Sequence, residues 1–420
     1  MSLGTALTEP LDVAIIGGGI IGIATAAYLA EVGCNVTVID RTGICEETSS
    51  GNAGALAFSD ILPLSHKGLI KSAPKWLLDP LGPLSIPPAY LPSLMPWLYR
   101  FWRAGNPRGL ESSLSAQATL MAHAERSWDG LVARAGVQGM VRSDGSLEFY
   151  ESENELQAAA LGWAARDRFG IPYRHLKRDE IEHYQPGLSP RFVAATFVPG
   201  WKTVSDPRDF GRALWAYAEA RGAQFIKGRV ETLGADAAGT IVALADGRTL
   251  VANHLVLAAG AWSHRLAAQL GEKFPLETER GYNTTLPVEA FDVRRQLIFS
   301  GHGFVITPLA TGLRVGGAVE FGGLERKPNF ARSRAMLEKA KRFLPGLETS
   351  GGREWMGFRP SLPDSLPVIG RAKYHSNIVY AFGHGHLGLT QAAATGSLVC
   401  DLLIGQKSAI DIAPFSPQRF

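Results

Sequence analysis

Val13-Ala14-Ile15-Ile16-Gly17-Gly18-Gly19-Ile20-Ile21-Gly22 decides the reading of this chain, because an apolar strand runs directly into G-x-G-x-x-G and on into the helical run Ile23 to Ala30. The three glycines have separate tasks in that order. Gly17 makes the tight turn, Gly19 lets a pyrophosphate come close to the backbone, and Gly22 lets helix and strand pack, with phosphate at the helix N-terminus. Gly33 is placed to cap the helix at its far end. A second apolar strand, Asn35 to Ile39, ends at Asp40, about 20 residues after the glycines, where an acid accepts hydrogen bonds from ribose hydroxyls. Strand, glycines, capped helix, second strand and acid make a complete dinucleotide-binding unit. FAD and NAD(P) share this half-site, so the rest of the chain must choose between them.

A chain of 420 residues is long for one compact domain, and two domains, consecutive or interleaved, are expected. Hydrophobic content of 46% with 19% charged residues fits an ordinary globular protein with a full core. The formal net charge of +3 is spread along the chain, with no basic stripe or tail of the kind that binds nucleic acid. Cys34, Cys45 and Cys400 are odd in number and far apart, so neither a disulfide framework nor a metal site is indicated, and they suit a reducing cytoplasm. Met1 to Pro10 lacks the basic and apolar regions of a secretory signal. No stretch holds about 18 uninterrupted apolar residues, the length of a spanning helix.

After the first unit, Arg41 to Phe58 reads as a loop rich in Thr, Ser, Gly and Asn. From Pro74 to Arg103 prolines recur among Trp76, Leu77, Leu78, Tyr90, Trp97, Leu98, Tyr99, Phe101 and Trp102, so helices there are expected to be short. Leu110 to Ala135 reads as helix and Ser146 to Tyr150 as a strand entering a different unit. Asp206-Pro207 opens a helix, as N-cap and first residue, that runs to Arg221 and feeds a strand from Gln224 to Glu231. Strands Thr240 to Ala245 and Arg248 to Val251 are joined by an Asp246-Gly247 hairpin turn. A buried strand, His254 to Ala258, enters Ala259-Gly260-Ala261-Trp262. Strands are expected at Gly281 to Leu286, Gly303 to Thr307 and Leu313 to Val319, then helices at Ala331 to Phe343 and Gln391 to Leu403.

Glu47-Thr48-Ser49-Ser50-Gly51-Asn52-Ala53-Gly54, Val256-Leu257-Ala258-Ala259-Gly260-Ala261-Trp262-Ser263 and Gly383-His384-Gly385-His386-Leu387-Gly388-Leu389-Thr390 are three separated motifs. Together they resemble the FAD-dependent D-amino acid oxidase, glycine oxidase and sarcosine oxidase superfamily, and the chain looks most like its bacterial D-amino acid dehydrogenases. The resemblance covers nearly the whole chain. It implies an α/β protein with a Rossmann-like FAD-binding domain of the glutathione-reductase type, interleaved with a mainly antiparallel β substrate domain. The first would comprise 10–75, 105–138, 203–266 and 352–412, the second 139–202 and 267–351, with 76–104 as a peripheral Pro- and aromatic-rich segment. FAD is the implied cofactor. Besides Gly17, Gly19, Gly22 and Asp40, its contacts would fall at Ile20 and Arg41, at Thr48, Ser49, Asn52 and Gly54, and on the strand holding Val230. The remainder would fall at Ala259, Gly260 and Trp262, and at Gly385, His386, Gly388, Leu389 and Thr390.

The residue types agree with this. Thr48, Ser49 and Asn52 put short polar groups where pyrophosphate oxygens and the flavin edge need donors, although a plain Ser/Asn loop reads the same way. Ala259-Gly260 permits close approach at a strand end. Gly385 to Thr390 precedes a helix, whose free amides and dipole favour the negative charge a flavin gains on reduction. His386 either packs beside the ring or fills space.

Trp355-Met356-Gly357-Phe358-Arg359-Pro360, followed by Pro363-Asp364-Ser365-Leu366-Pro367-Val368-Ile369-Gly370, resembles the family segment whose arginine holds the substrate carboxylate. The carry-over is to Arg359, whose planar fork makes two parallel charge-assisted bonds; a structural pairing with Asp364 or Glu354 is the alternative. Tyr282, on a strand the family runs along the flavin, would donate its hydroxyl to the same carboxylate or cap the pocket, with Arg280 and His302 as weaker candidates. The catalytic candidates are thus Arg359, Tyr282 and His386. The implied reaction is transfer of a hydride from Cα of a D-amino acid to flavin N5, giving an imino acid, with D-proline or a hydroxylated D-proline favoured by the Phe358 to Ser365 run. No protein base is needed at Cα. Electrons would go to a respiratory-chain quinone or a dye. An oxygen-using sarcosine or glycine oxidase-like enzyme, and an FAD-carrying subunit of an electron-transfer assembly, are the other readings. Lys71, Lys75, Arg100 and Arg103 around the aromatic segment suit a cover, a subunit contact or peripheral association with the inner membrane from the cytoplasm.

Overall fold

The computed structural model describes residues 10–65, 82–236 and 239–420. Most of the N-terminal segment lies outside them, as do Lys71, Lys75 and the first part of the aromatic-rich stretch.

The fingerprint strand, Asp12–Ile16, lies inside a six-stranded sheet in the order Gln224–Lys227, Asn35–Asp40, Asp12–Ile16, His254–Leu257, Ile378–Phe382, Val368–Arg371. Neighbours run parallel except the last pair, which is antiparallel. Val13 to Ile16 and Leu255 to Leu257 are buried throughout, as a strand must be when both faces of a parallel sheet are covered. The fingerprint helix, Ile20–Glu31, covers one face and packs against the C-terminal helix Gly388–Ile404. A Cβ at Gly396 would stand 2.8 Å from the Ala24 carbonyl oxygen, so close contact of the two helices depends on that glycine. By length and composition the segment Gly385–Ile404 is apolar enough to cross a bilayer, but it is a core element, mostly buried against its neighbours.

A second, nine-stranded sheet follows the order Arg353–Ser361, Glu277–Leu286, Gly312–Phe321, Phe304–Leu309, Gln296–Phe299, Ser146–Tyr150, Ala194–Val198, Arg174–Lys177, with Leu84–Ser85 paired to Gly312–Phe321. Its pairs are antiparallel except at Gln296–Phe299 with Ser146–Tyr150 and at Leu84–Ser85. Tyr282, Leu297, Phe299, Phe304, Ile306 and Phe343 form its apolar core, beneath the helix Ala331–Phe343.

Two expectations change. The strand read as Gln224 to Glu231 is two strands in different sheets. Gly228 N–H donates to the Asp40 carbonyl (2.9 Å), which completes the first pairing, and Val230–Asp236 then pairs with Gly239–Leu244. The prolines do not keep the 91–104 helix short either, since Leu91–Ala104 runs for 14 residues. Pro92 occupies the first turn, where no intrahelical N–H bond is due, so only Pro96 removes one.

Candidate active site

Where the two sheets meet, a cavity of about 1500 Å³ is lined jointly by the fingerprint, the 47–57 loop, Ala258 to Trp262, the substrate-sheet strands and Gly383 to Thr390. Every cofactor and catalytic candidate named above lines it except Gly22 and Gly54. Gly17 has φ +116°, and a Cβ there would lie 2.3 Å from the Ala258 carbonyl oxygen, so both the turn and the close approach exclude any side chain. A Cβ at Gly22 would stand 1.9 Å from the Gly17 carbonyl oxygen, so this glycine serves the helix and strand contact from behind the cavity wall. Gly54 makes a turn against Leu309 and Val204.

Several polar side chains of the fingerprint end have local partners. Asp40 accepts from the backbone N–H groups of Gly18 (2.8 Å), Thr42 (2.8 Å) and Gly43 (3.1 Å) and from the Thr42 hydroxyl (2.9 Å). The carboxylate therefore shapes the turn beneath the cavity as well as bordering it. Ser49 Oγ accepts from Ile20 N–H (3.0 Å), and Asn52 Oδ1 from Gly54 N–H (2.8 Å). The Thr48 hydroxyl donates to the Phe358 carbonyl (3.1 Å) and accepts Phe358 N–H (3.2 Å), while Thr390 Oγ1 spans Ala57 N–H and the Ala55 carbonyl. These hydroxyls fasten the loop to the substrate strand and to the C-terminal helix; they are not free donors. Arg41 stacks over Trp262, 3.8 Å from its centroid, and is paired with Glu47.

On the substrate-sheet side Arg359 stands directly across from Glu279. Neither suggested structural partner takes it, since Asp364 binds Arg419 (2.7 Å) and Glu354 binds Arg334 (3.2 Å). Arg359 Nη1 donates to the Ala318 carbonyl (2.8 Å), and the rest of the fork makes no hydrogen bond among the described residues. Ala318 has φ +56°, a strained conformation for a residue with a Cβ, at a register shift opposite Arg280 and Tyr282. Gly281 lies under the guanidinium, where a Cβ would be 2.4 Å from Cζ. Burial pulls the Arg359 pKa down, against the opposing pull of Glu279.

Strand alternation corrects the reading of Tyr282. Glu279, Gly281 and Asn283 face the cavity, whereas the Tyr282 ring lies in the apolar core of the sheet. Its hydroxyl donates its one proton to Glu320 and accepts Asn329 N–H (3.1 Å), so nothing remains to donate to a substrate carboxylate. Arg280 is a buried partner of the same Glu320 (3.1 Å). His302 is outside the cavity, paired with Glu151 (2.5 Å) and edge-on to Phe343. His386 does line the cavity, with Nε2 2.9 Å from Glu279 Oε2. His384 is buried against Thr395 (2.9 Å), and burial pulls its pKa to about 3, so it stays neutral.

Residues 12–402 match the family model described as FAD dependent oxidoreductase. The chain belongs to that family. A D-amino-acid oxidase of Bradyrhizobium diazoefficiens is 35% identical over 99% of this chain and 100% of its own length. A D-amino acid dehydrogenase of Rhizobium rhizogenes is 30% identical over 98% and 100%. Among solved structures, glycine oxidase from Geobacillus kaustophilus has the same fold, with a TM-score of 0.76 at 24% identity over 98% of this chain and 100% of that one. The oxidoreductase is therefore FAD-dependent, with the α/β architecture and mixed sheets of its family.

The cavity fits that cofactor. It is large enough for a dinucleotide, and the N-termini of two helices, Ile20–Glu31 and Gly388–Ile404, open onto it without a capping side chain from their own N-cap residues. One site residue went unassigned from the sequence. Glu279 is almost fully buried, and its signal was the period of two that puts it on the same face as Gly281 and Asn283.

Proposed function

We propose that this family member oxidises a D-amino acid to the imino acid and hands the electrons to a quinone or another carrier. The observation that carries the reading is Arg359, a half-buried arginine with unspent donors in the cavity that also holds the fingerprint. A carboxylate docked on that fork is fixed in direction as well as place, which orients Cα. FAD, when bound, supplies the acceptor for the Cα hydride. Trp97, Leu98 and Phe101 line the cavity and exclude water, and an acyclic imino product then hydrolyses once released.

The relatives named D-amino-acid oxidase and D-amino acid dehydrogenase support the D configuration. D-Proline or a hydroxylated D-proline is our favoured substrate, from the character of the Phe358 to Ser365 run. For the acceptor, the supporting feature is the helix Leu91–Ala104. Leu94 and Trp97 face inward, while Leu91, Met95, Tyr99 and Trp102 form an exposed stripe beside Arg100 and Arg103. Leu91 and Trp102 also border the cavity, so the stripe adjoins its mouth. We place it against the anionic surface of the inner membrane, where a quinone is at hand. The relative named an oxidase favours a second reading, direct use of oxygen. Anaerobic reduction by D-proline and D-alanine, followed by mixing with a soluble quinone or with air, tests the substrate and the acceptor. Reoxidation by quinone far outpacing that by oxygen is the expected result; rapid stoichiometric peroxide formation selects the oxidase, and no reduction by any amino acid refutes both.

A further inference from the structure

We propose that Glu279 is the group that holds the substrate's amine, complementing Arg359 at the carboxylate; the assignment rests on the amino acid reading above. The two residues are directly opposed on adjacent antiparallel strands, so opposite charges stand side by side on one wall of the cavity, matching the two ends of an α-amino acid. Glu279 is 3% exposed. Its Oε2 lies 2.9 Å from His386 Nε2, an ion-pair distance without hydrogen-bond alignment, so this buried carboxylate oxygen has no aligned donor among the described residues. The Arg359 guanidinium from its partner strand and the His386 imidazole from the turn ahead of the C-terminal helix lie beside it, and Glu277, bonded to Tyr90 (2.9 Å), is the nearby acid. Burial alone would push the Glu279 carboxyl up; His386, Ser361 and Arg359 outweigh it and hold the group below the usual carboxylate range. It is therefore an anion when substrate arrives.

A fixed anion at this position also assists the reaction. Once the bound amine has given its ammonium proton to water, its lone pair becomes the new C=N bond as the Cα hydride leaves for the acceptor that bound FAD would supply, and positive charge grows on nitrogen. Glu279 takes no proton in this step. It offers preorganised negative charge where the iminium develops, on the wall of a cavity lined largely by apolar side chains, where such charge counts more than in open water.

The test is Glu279→Gln, which keeps size and an acceptor oxygen but removes the charge. Two ligand pairs are compared on FAD-loaded protein: D-proline with cyclopentanecarboxylate, and D-alanine with propanoate, the second of each pair lacking nitrogen. Spectral titration should give unchanged carboxylate dissociation constants in the variant. Amino acid binding should weaken about tenfold, and anaerobic flavin reduction should slow about 100-fold. Equal weakening for amino acids and nitrogen-free acids would make Glu279 a structural prop and overturn the proposal, as would wild-type reduction rates in the variant. A wild-type protein that binds the nitrogen-free acids but is reduced by neither amino acid overturns the amino acid reading, and this assignment with it.

Discussion

Replacing Arg359 with alanine separates its two contributions. Among the described residues it makes a single hydrogen bond, to the Ala318 carbonyl, and rests on Gly281. Losing that bond costs about 1 kcal/mol of stability. Toward substrate it offers the rest of its fork, and truncating one partner of a buried charge pair costs about 2–5 kcal/mol. That range is a loss of about 30- to 4000-fold in kcat/KM. Activity should therefore collapse while the fold and the FAD remain. The assay is anaerobic stopped-flow reduction by D-proline or D-alanine across a concentration series, with FAD content and thermal melting measured on the same preparation. Arg359→Lys should recover part of the loss, because it restores the charge beside Glu279 but not the two parallel bonds. An alanine variant that keeps its FAD and reacts at wild-type efficiency refutes the reasoning, and so does one that melts far lower and purifies without flavin.

Gly281→Ala pushes its Cβ into the far end of the flexible Arg359 side chain, so FAD should be retained while KM for the amino acid rises about tenfold through a displaced guanidinium; an unchanged KM would show that this placement is not critical. Gly17→Ala meets both a positive φ and the Ala258 carbonyl, and should purify without flavin if it folds, which the absorption spectrum decides. Burial raises the Cys34 thiol to about 11 and Cys45 to about 12 and also pushes Cys400 up, so a thiol reagent near neutral pH should label none of them until denaturant is added. Asp401 is raised to about 6, chiefly by burial, so its contribution to stability is fully present below its unfolded pKa and is lost as pH rises through about 6. Asp401→Asn should accordingly raise the melting temperature above pH 6 and change it little near pH 4; the opposite trend contradicts the burial argument.

The fingerprint unit was legible because its signals are local: an apolar run, three glycines at fixed spacing and an acid at a strand end. Helix Ala331–Phe343 and strand Ser146–Tyr150 were legible for the same reason, through periodicity and turn residues. What the sequence concealed depended on pairing. The run from Gln224 to Glu231 looks continuous, and only the bond from Gly228 to Asp40 shows where one sheet ends. Tyr282 and Glu279 lie three residues apart and therefore on opposite faces, but which face lines the cavity depended on the pairing with Arg353–Ser361. The hydroxyls of Thr48 and Thr390 look like ligand donors in a list of residues. Their partners, Phe358 and the short strand Ala55–Leu56 with the adjoining Ala57, are over 300 positions away in sequence and come near only in the folded chain.

The most direct test of the account is a single anaerobic titration of the purified protein with the D and L forms of proline and alanine, following the flavin absorbance. The account predicts a yellow protein whose noncovalent FAD is bleached by a D-amino acid and left oxidised by its L enantiomer. A flavin that stays oxidised with all four, or that is bleached by the L form instead, contradicts it.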